Sequence, residues 1–178
     1  MIFDMHVHTY LSGDSSVKPE DYLLWINSVL RKEIDLAGVV FVEHQDYNTN
    51  SKAAVMDYKS LENRFGLRIF QGHELDTDCG HFLCYGLGDY LASITRKNGQ
   101  SMAKELLEKA EKHEAIVIPA HPGRKNTGLI SYMDKIAQLP PFQVIEKLNG
   151  SSTREENEWA SRLAQSKGFS GIGGSDAH

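Results

Sequence analysis

The segment Asp4-Met5-His6-Val7-His8-Thr9 (DMHVHT) carries two histidines two residues apart at the end of a strand-like run. Side chains two apart on a β-strand point to the same face, so the two imidazoles lie side by side. Ser175-Asp176-Ala177-His178 (SDAH) repeats this spacing with a carboxylate and an imidazole, after the glycine-rich segment 171–174, which allows close approach of backbone or ligand. Both pairs are typical of metal ligands. If the first and last strands are neighbours, as in a closed barrel, the four side chains meet at one point.

The composition indicates one domain over residues 1–178 with its own core and a single active centre. A net charge of -5 argues against bulk binding of nucleic acid, although a local basic patch or bound cations could still attract phosphates. Nothing at the N-terminus resembles a signal sequence, and Cys79 and Cys84 look unpaired. No apolar run reaches the roughly 18 residues that a membrane span needs. We therefore expect a cytoplasmic protein with no membrane partner.

Strands and helices alternate along the chain. Short apolar, β-branched runs predict strands, and longer amphipathic runs predict helices. After the first strand, through His8, the pattern predicts strands at about 36–44, 67–75, 80–87, 115–120 and 142–148 and a closing strand before Asp176, with helices at about 19–31, 52–65, 101–114, 131–138 and 153–167. This order is typical of an α/β fold with parallel strands.

The position of the polar residues favours a barrel over an open sheet. Barrel enzymes carry their chemistry at the C-terminal ends of many strands, whereas a doubly wound sheet gathers its ligand residues at one switch point. Only six or seven strands can be counted, so an ordinary eight-stranded barrel does not fit. Ligand-type residues lie at or near the ends of successive strands at His44, Glu74, His121, Asn149, Asp176 and His178.

The imidazole and carboxylate groups at these positions outnumber what one metal ion can bind, so they predict several metals. They suit zinc, manganese or iron. By contrast, His113 lies in a charged junction and is interpreted as structural, and His73 alternates away from Glu74 and is predicted to face outward. The candidate ligands are His6, His8, Asp14, His44, Glu74, His81, His121, Asp176 and His178.

Taken in order, the motifs resemble those of the PHP (polymerase and histidinol phosphatase) family of metal-dependent phosphoesterases. The resemblance runs the whole chain, and an ordered set of motifs is far more specific than any one of them. It implies a distorted seven-stranded (βα) TIM-like barrel with a trinuclear metal site. The segments that carry it are Asp4–Thr9 with Ser12, His44, Gly72-His73-Glu74, Gly80-His81, Ala120-His121-Pro122-Gly123-Arg124 and Gly174–His178.

The resemblance also implies how the ligands divide. One metal would be held by His6, His8, Glu74 and Asp176; a second by the bridging Glu74 with His81 and His121; and a third by Asp14, His44 and His178. In the family the first acid often falls one residue earlier, in a Ser-Asp-Gly sequence, whereas this chain reads Ser12-Gly13-Asp14. Asp14 therefore departs from the usual pattern.

The implied reaction is hydrolysis of a phosphomonoester, or of a short nucleotide or oligonucleotide phosphodiester, by a metal-activated water with two or three divalent ions (Zn, Mn or Fe). Arg124 is a candidate for binding two phosphate oxygens, or else a surface arginine. Lys125 and Arg154 are weaker candidates for substrate binding. Asn149 either orients the substrate or the attacking water or is a turn residue. Asp4 is a candidate acceptor for an imidazole N–H.

Several alternatives stay open. The ligands do not separate a small-molecule phosphatase from a nuclease, but no dense basic or aromatic track is visible, which favours a phosphorylated small molecule or a short oligonucleotide as substrate. A metal-dependent amidohydrolase also begins with a His-x-His strand, and a non-catalytic PHP-type scaffold module is a third possibility. Because the chain stops at His178, with no residues for a helix after the last strand, we also expect the domain to continue beyond it. The oligomeric state is left open.

Overall fold

A computed structural model describes residues 2–29, 33–44 and 57–178. The α-helices in these ranges are α1 (Pro19–Ser28), α2 (Tyr58–Phe65), α3 (Ala103–Lys112) and α4 (Arg154–Lys167). The strands are β1 (Ile2–Val7), β2 (Leu36–His44), β3 (Arg68–Thr77), β4 (Gly80–Tyr85), β5 (Arg96–Lys97), β6 (Gln100–Ser101), β7 (Ile116–Pro119), β8 (Val144–Asn149) and β9 (Ser170–Gly174). The alternation of strands and helices confirms the α/β class.

The main sheet has the strand order β1-β2-β3-β4-β7. Strands β1, β2 and β3 are parallel, whereas β4 forms an antiparallel hairpin with β3 and pairs antiparallel with β7. The strand predicted at about 80–87 is therefore the second strand of a hairpin, and β7 runs in the same direction as β1 to β3. Strands β8 and β9 form a separate parallel pair.

The pair β8-β9 lies between the two ends of the main sheet. On one side, the backbone N–H of His8 donates to Ala177 O at 2.9 Å and that of Asp176 donates to His6 O at 2.7 Å. A side chain at Gly174 would collide with His6, so glycine permits this close approach. On the other side, β7 lies beside β8, but no ladder joins them among the described residues. The fold is thus a barrel-like α/β arrangement, and the closed seven-stranded barrel is not confirmed.

The helices cover the outer faces of the strands. Apolar side chains of α1 and α2 pack around Phe41 of β2, those of α3 around Phe82 of β4, and those of α4 around Ile145 of β8. Burial of these apolar faces is the main stabilising contribution. The polar ends of the strands stay free of this packing. Within the described ranges, no helix is long and apolar enough to cross a membrane.

Two helix predictions differ from the structure. The helix predicted at 131–138 is instead two short 3-10 turns, Leu129–Tyr132 and Ile136–Gln138. Pro140 favours the extended backbone of Leu139 and so accounts for the end of the second turn. The helix predicted from residue 101 begins at Ala103, since Ser101 pairs in β6 with β3 and β5. The predicted end of the first helix, at 30–31, and the predicted start of the second, at 52–56, lie outside the described residues.

Candidate metal centre

The structure brings the nine predicted ligands together at one end of the strands. They form three groups in which one donor atom from each residue lies within 4.8 Å of the others. Adjacent groups share side chains, so the groups touch. The first group is His6, His8, Glu74 and Asp176, and the second is Glu74, His81 and His121. The third group is Asp14, His44 and His178, and His8 belongs to it as well as to the first.

The first group, here called the inner group (His6, His8, Glu74 and Asp176), has the geometry of a metal site. Nε2 of His6 lies 3.0 Å from Nε2 of His8, and both lie 3.0–3.4 Å from Glu74 Oε2 and Asp176 Oδ1. In a tetrahedral site with bonds of about 2.0–2.1 Å, neighbouring donors are about 3.3–3.4 Å apart. The four donor atoms therefore have the spacing of donors around one ion.

Strand alternation and local backbone turns place these side chains. His6 lies in β1 and His8 directly follows the strand, and the two side chains, two positions apart, face the same group of donors. Asp176 follows β9 with a φ of 54°, a left-handed conformation that is rare for a residue with a side chain. Such backbone persists where surrounding contacts enforce it, and it is concentrated at functional sites.

The second group, here called the bridged group, uses the other oxygen of Glu74. Oε1 of Glu74 accepts from His81 Nδ1 and from His121 Nε2, both at 2.8 Å. Glu74 therefore faces the inner group with Oε2 and the bridged group with Oε1. Its carboxylate is 2% exposed. A carboxylate in this position can bridge two ions.

The third group, here called the outer group (Asp14, His44 and His178), lies nearer to solvent. Oδ2 of Asp14 is 3.2 Å from His44 Nε2 and 3.3 Å from His178 Nε2. The ring of His8 stacks against both imidazoles, with ring centroids 4.7 and 4.3 Å apart. The shifted position of Asp14 in the sequence therefore still brings its carboxylate to these two histidines.

Hydrogen bonds between the imidazoles and carboxylates of the inner group shift the pKa values of both, in the directions expected for shared protons. Burial lowers the pKa of His8, but hydrogen bonds with Asp176 and Glu74 outweigh it and raise this pKa to about 9. Burial likewise opposes the charge of Glu74, yet His6 and the other imidazoles hold the pKa of Glu74 well below its usual range. Protonated imidazoles thus neutralise the buried carboxylate. A divalent cation would replace those protons.

A serine and a second glutamate orient His8, and neither role was predicted from the sequence. The hydroxyl of Ser12 donates to Glu43 Oε2 at 2.5 Å, so its oxygen accepts from His8 Nδ1 at 2.9 Å. Thr9 also donates to Glu43 through its hydroxyl at 2.6 Å and its backbone N–H at 3.1 Å. With its proton on Nδ1, His8 presents the lone pair of Nε2 to the inner group.

Glu146 orients His6, and sequence reasoning missed it as well. Oε1 of Glu146 accepts from His6 Nδ1 at 2.9 Å. Strand alternation places Glu146 and Asn149 on opposite faces, but an irregularity in register between Glu146 and Leu148 turns both inward. Lys147 and Leu148 are exposed, whereas the residues on either side of them are buried. The one feature of the sequence that could have indicated this role is the presence of an acidic residue, Glu146, within an apolar strand.

Arg124 and Asn149 both contact the inner group. Nη2 of Arg124 donates to Asp176 Oδ2 at 2.8 Å and to Asn149 Oδ1 at 3.0 Å. Nδ2 of Asn149 donates to the same Asp176 oxygen at 3.2 Å. These bonds leave Oδ1 of Asp176 directed at His6 and His8. Burial raises the pKa of Asp176, but His8, His6 and Arg124 outweigh it and hold this pKa below its usual range.

The remaining predicted residues lie elsewhere. Arg154 is 86% exposed and pairs with Glu158 one turn along α4 at 2.8 Å, and Lys125 is also exposed. The expectation that Asp4 accepts from an imidazole is wrong. Its carboxylate accepts instead from the hydroxyl of Tyr22 and the backbone N–H of Ser175, both at 2.8 Å, because Ser175 lies directly beside β1.

Comparison with known proteins gives structural relatives only. No protein-family model and no curated protein match the sequence. PsfC from Pseudomonas syringae aligns with 98% of this chain and 75% of its own at 18% identity, with a TM-score of 0.67. A protein from Bifidobacterium adolescentis assigned as a metal-dependent phosphoesterase aligns over 99% and 87% at 16% identity, with a TM-score of 0.65.

Two further structures carry information on ligands. An amidohydrolase from Chromobacterium violaceum, with bound sulfate and no metal, aligns over 100% of this chain and 88% of its own at 16% identity, with a TM-score of 0.67. Endonuclease Q in complex with a duplex that contains an abasic lesion aligns over 85% and 43% at 14% identity, with a TM-score of 0.54. At these identities the likeness establishes the fold alone, which this chain shares with proteins named a metal-dependent phosphoesterase, an amidohydrolase and an endonuclease.

Proposed function

We propose that this chain is a metal-dependent phosphoesterase that hydrolyses a phosphomonoester or a short nucleotide or oligonucleotide phosphodiester. The observation that carries the proposal is the position of Glu74, whose two oxygens face two adjacent groups of buried donors. The donors fit transition-metal ions, since they are imidazoles and carboxylates with the spacing of a coordination shell. His6, His8 and Asp176 would share one ion with Glu74, and the bridged and outer groups would hold a second and a third.

Divalent cations at such a site bind phosphate oxygens and lower the pKa of bound water, so that hydrolysis needs no serine or cysteine nucleophile. Around them, the chain orients the donors. Ser12 and Glu146 fix the ring nitrogens of His8 and His6. Arg124 and Asn149 hold one oxygen of Asp176 and leave the other for an ion.

The charge of the donor set favours an anionic substrate over an amide. The nine donors comprise six imidazoles, which bind metals in the neutral form, and three carboxylates. Three divalent ions would therefore leave a clear excess of positive charge in a partly buried site. A phosphate group compensates this excess, whereas a neutral amide does not.

Arg124 is proposed to contact the phosphate directly as well. Its side chain is 27% exposed beside Asp176, and its described hydrogen bonds all use Nη2. Either Nη1 or Nε can then donate to a phosphate oxygen. Lys125 and Arg154 are exposed and remain weaker proposals for contacts with the substrate.

The structural relatives support the class of reaction. One is assigned as a phosphoesterase, another acts on duplex DNA, and a third holds a sulfate, which has the shape and charge of a phosphate group. The third is also named an amidohydrolase, so hydrolysis of an amide is the second candidate. All nine donors are in place, which argues against a non-catalytic scaffold.

The test combines metal analysis with three substrates. The purified protein is stripped with a chelator, reloaded with manganese, zinc or iron, and assayed with p-nitrophenyl phosphate, bis(p-nitrophenyl) phosphate and an N-acyl p-nitroanilide. We expect about two to three ions per chain and metal-dependent release of nitrophenol from a phosphate ester. Release from the anilide alone would establish an amidohydrolase. Bound metal without any turnover of these substrates would favour a scaffold, and failure to bind metal would refute the site.

A matched pair of histidine variants makes the assay specific. His121→Ala removes a ligand of the bridged group, whereas His113→Ala removes a histidine that stacks on Tyr90 away from the donor groups. We expect the first to lose most of its activity and the second to keep it. Equal loss in both would show that the activity does not arise at this centre.

A further inference from the structure

Glu146 is a buried carboxylate that belongs to none of the three donor groups. Its side chain is 0% exposed, and it accepts three hydrogen bonds. Oε1 accepts from His6 Nδ1 at 2.9 Å, and Oε2 accepts from the backbone N–H of His121 at 2.6 Å and from Asn149 Nδ2 at 3.0 Å. Such a group is stable only when its partners are in place, so its position is tightly determined.

On the side of the inner group, Glu146 selects the tautomer of His6. A carboxylate only accepts, so the bond requires the imidazole proton on Nδ1. Nε2 then carries the lone pair, and it is Nε2 that lies 3.2 Å from Glu74 Oε2 and 3.3 Å from Asp176 Oδ1. The ring of His6 is thereby set in the orientation and form that bind a cation.

On the side of the bridged group, Glu146 holds His121 through the backbone. Nδ1 of His121 is buried and has no hydrogen-bond partner among the residues the structure describes. The ring is therefore not oriented from behind as that of His6 is. His121 also has a φ of 26°, and the acceptor for its N–H is Glu146. This bond also ties β7 to β8, which share no ladder in the described ranges.

We infer that Glu146 is a positioning residue that aligns His6 and His121 together, so that one side chain couples the metal affinity of the inner group to that of the bridged group. The inference rests on the proposed binding of metals by these groups and does not depend on which ester is cleaved. In this role Glu146 orients the metal ligands and does not contact the substrate.

Glu146→Gln is the most informative substitution, because it keeps the shape of the side chain and replaces one acceptor oxygen by an NH₂ group. A Gln side chain has one oxygen and one NH₂ group. If the oxygen faces His6, the NH₂ meets two donors, the N–H of His121 and the amide of Asn149. If the NH₂ faces His6, it requires a lone pair on Nδ1, which moves the proton to Nε2 where the cation binds. Asn149 cannot turn over to relieve this conflict, because its oxygen accepts from Arg124 and Ser151.

The experiment compares E146Q with the wild type and with E108Q, which changes an exposed glutamate on α3. Zinc affinity is measured by competition with a chelator, and the ring nitrogens of His6 are observed by ¹⁵N NMR in the zinc-loaded protein. We expect E146Q to bind the two tightest ions about 10- to 100-fold more weakly, which is the usual effect of removing a hydrogen-bond partner of a metal ligand. We also expect the ¹⁵N chemical shifts of the His6 ring nitrogens to change. E108Q should match the wild type.

Wild-type affinity and an unchanged His6 spectrum in E146Q would overturn the inference. If circular dichroism shows that E146Q does not fold, E146D is used in its place. The shorter side chain keeps the charge but cannot reach both His6 and the backbone N–H of His121. Wild-type affinity of E146D for both ions would equally overturn the inference. A wild-type protein that binds metal and hydrolyses no ester refutes the proposed function alone. A wild-type protein that binds no metal refutes both.

Discussion

The inner and outer groups differ in burial and in support, although each is built from imidazoles and carboxylates. The side chains of His6, His8, Glu74 and Asp176 are at most 2% exposed, whereas those of the outer group are 21–40% exposed. Each imidazole of the inner group is oriented by a hydrogen bond at Nδ1: that of His6 goes directly to Glu146, and that of His8 goes to Ser12, which donates to Glu43.

The outer group has little support of this kind. Nδ1 of His178 contacts the backbone oxygen of Asp176 at 3.1 Å, and His44 and Asp14 contact each other directly. Ligands that are oriented in advance bind metal more tightly than ligands that must be ordered. The comparison therefore predicts a tightly held ion in the inner group and an exchangeable ion in the outer group. The bridged group shares the buried Glu74 and contains the buried His121, so we expect its ion to be held tightly as well.

The largest effect is expected from Glu74→Gln, which removes the charge that the two buried groups share. We expect kcat/KM for the preferred phosphate ester to fall at least about 10³-fold, the scale seen when one member of a catalytic unit is removed. Elemental analysis should show loss of both tightly held ions. Retention of both ions would mean that the groups do not depend on a common carboxylate, and the distinction between buried and exposed groups would fail.

A smaller and asymmetric effect is expected when one histidine is removed from each group. His6→Ala, at a donor of the inner group alone, should lower activity about 10²-fold and release an ion that extra metal does not restore, because the inner group loses an oriented donor. His178→Ala should lower activity by about 10-fold, with recovery in excess metal. Dialysis followed by metal analysis separates the two variants. The same metal dependence in both would show that burial does not set the affinity.

The effect of pH on the metal-free protein probes the inner group alone. The pKa of His8 is raised to about 9, so its protonated form stabilises the folded state below about pH 6.5, and this stability is lost as the pH rises through 9. We expect the free energy of unfolding of the metal-free chain to fall by up to about 3 kcal/mol over that range.

Urea unfolding at several pH values measures this change, and His8→Asn is the matched control because it removes the titrating ring. The zinc-loaded protein should not weaken in the same way, since a cation has replaced the proton. A metal-free chain that gains stability between pH 6.5 and 9 would contradict the proton sharing described for this group.

The smallest effect is expected from Arg154→Ala. Arg154 is exposed and its described ion pair is with Glu158, so we expect activity within about twofold of the wild type, because exposed ion pairs contribute little. Arg124→Ala, which removes a donor to Asp176, should be far more damaging. A large rise in KM for Arg154→Ala would place this residue in the path of the substrate.

The ligands could be predicted from the sequence because strand alternation and strand ends govern where they point. His44 and Glu74 are partners in the regular ladder of β2 and β3. His6 lies where the pairing of β1 with β2 shifts register, yet its side chain still faces the same group of donors as that of His8. Their supporting residues could not be predicted in the same way. Glu43 adjoins the ligand His44, so alternation places it on the opposite face, where Thr9 and Ser12 bury it.

Glu146 was hidden for a different reason. It faces the site because the strand departs from regular pairing before Leu148, and an irregularity of this kind depends on tertiary contacts and not on local propensity. The same holds for the turns at 129–138, where an amphipathic pattern predicted a helix that the structure does not contain. The donors at the strand ends were thus predictable from alternation, whereas the effects of the irregularity at Glu146 and of the turns at 129–138 were not.

The pairing of β1 with the segment after β9 also fixes when the centre can form. Ser175 donates to Asp4 across 171 positions of sequence, and the inner group draws its donors from both sides of this contact. Contacts of such long range form late in folding, after the entropic cost of closing a long loop has been met. During synthesis, His6 and His8 emerge from the ribosome long before Asp176. The ion proposed for the inner group would therefore be captured only by a chain that has completed this pairing, and its binding would mark the end of folding.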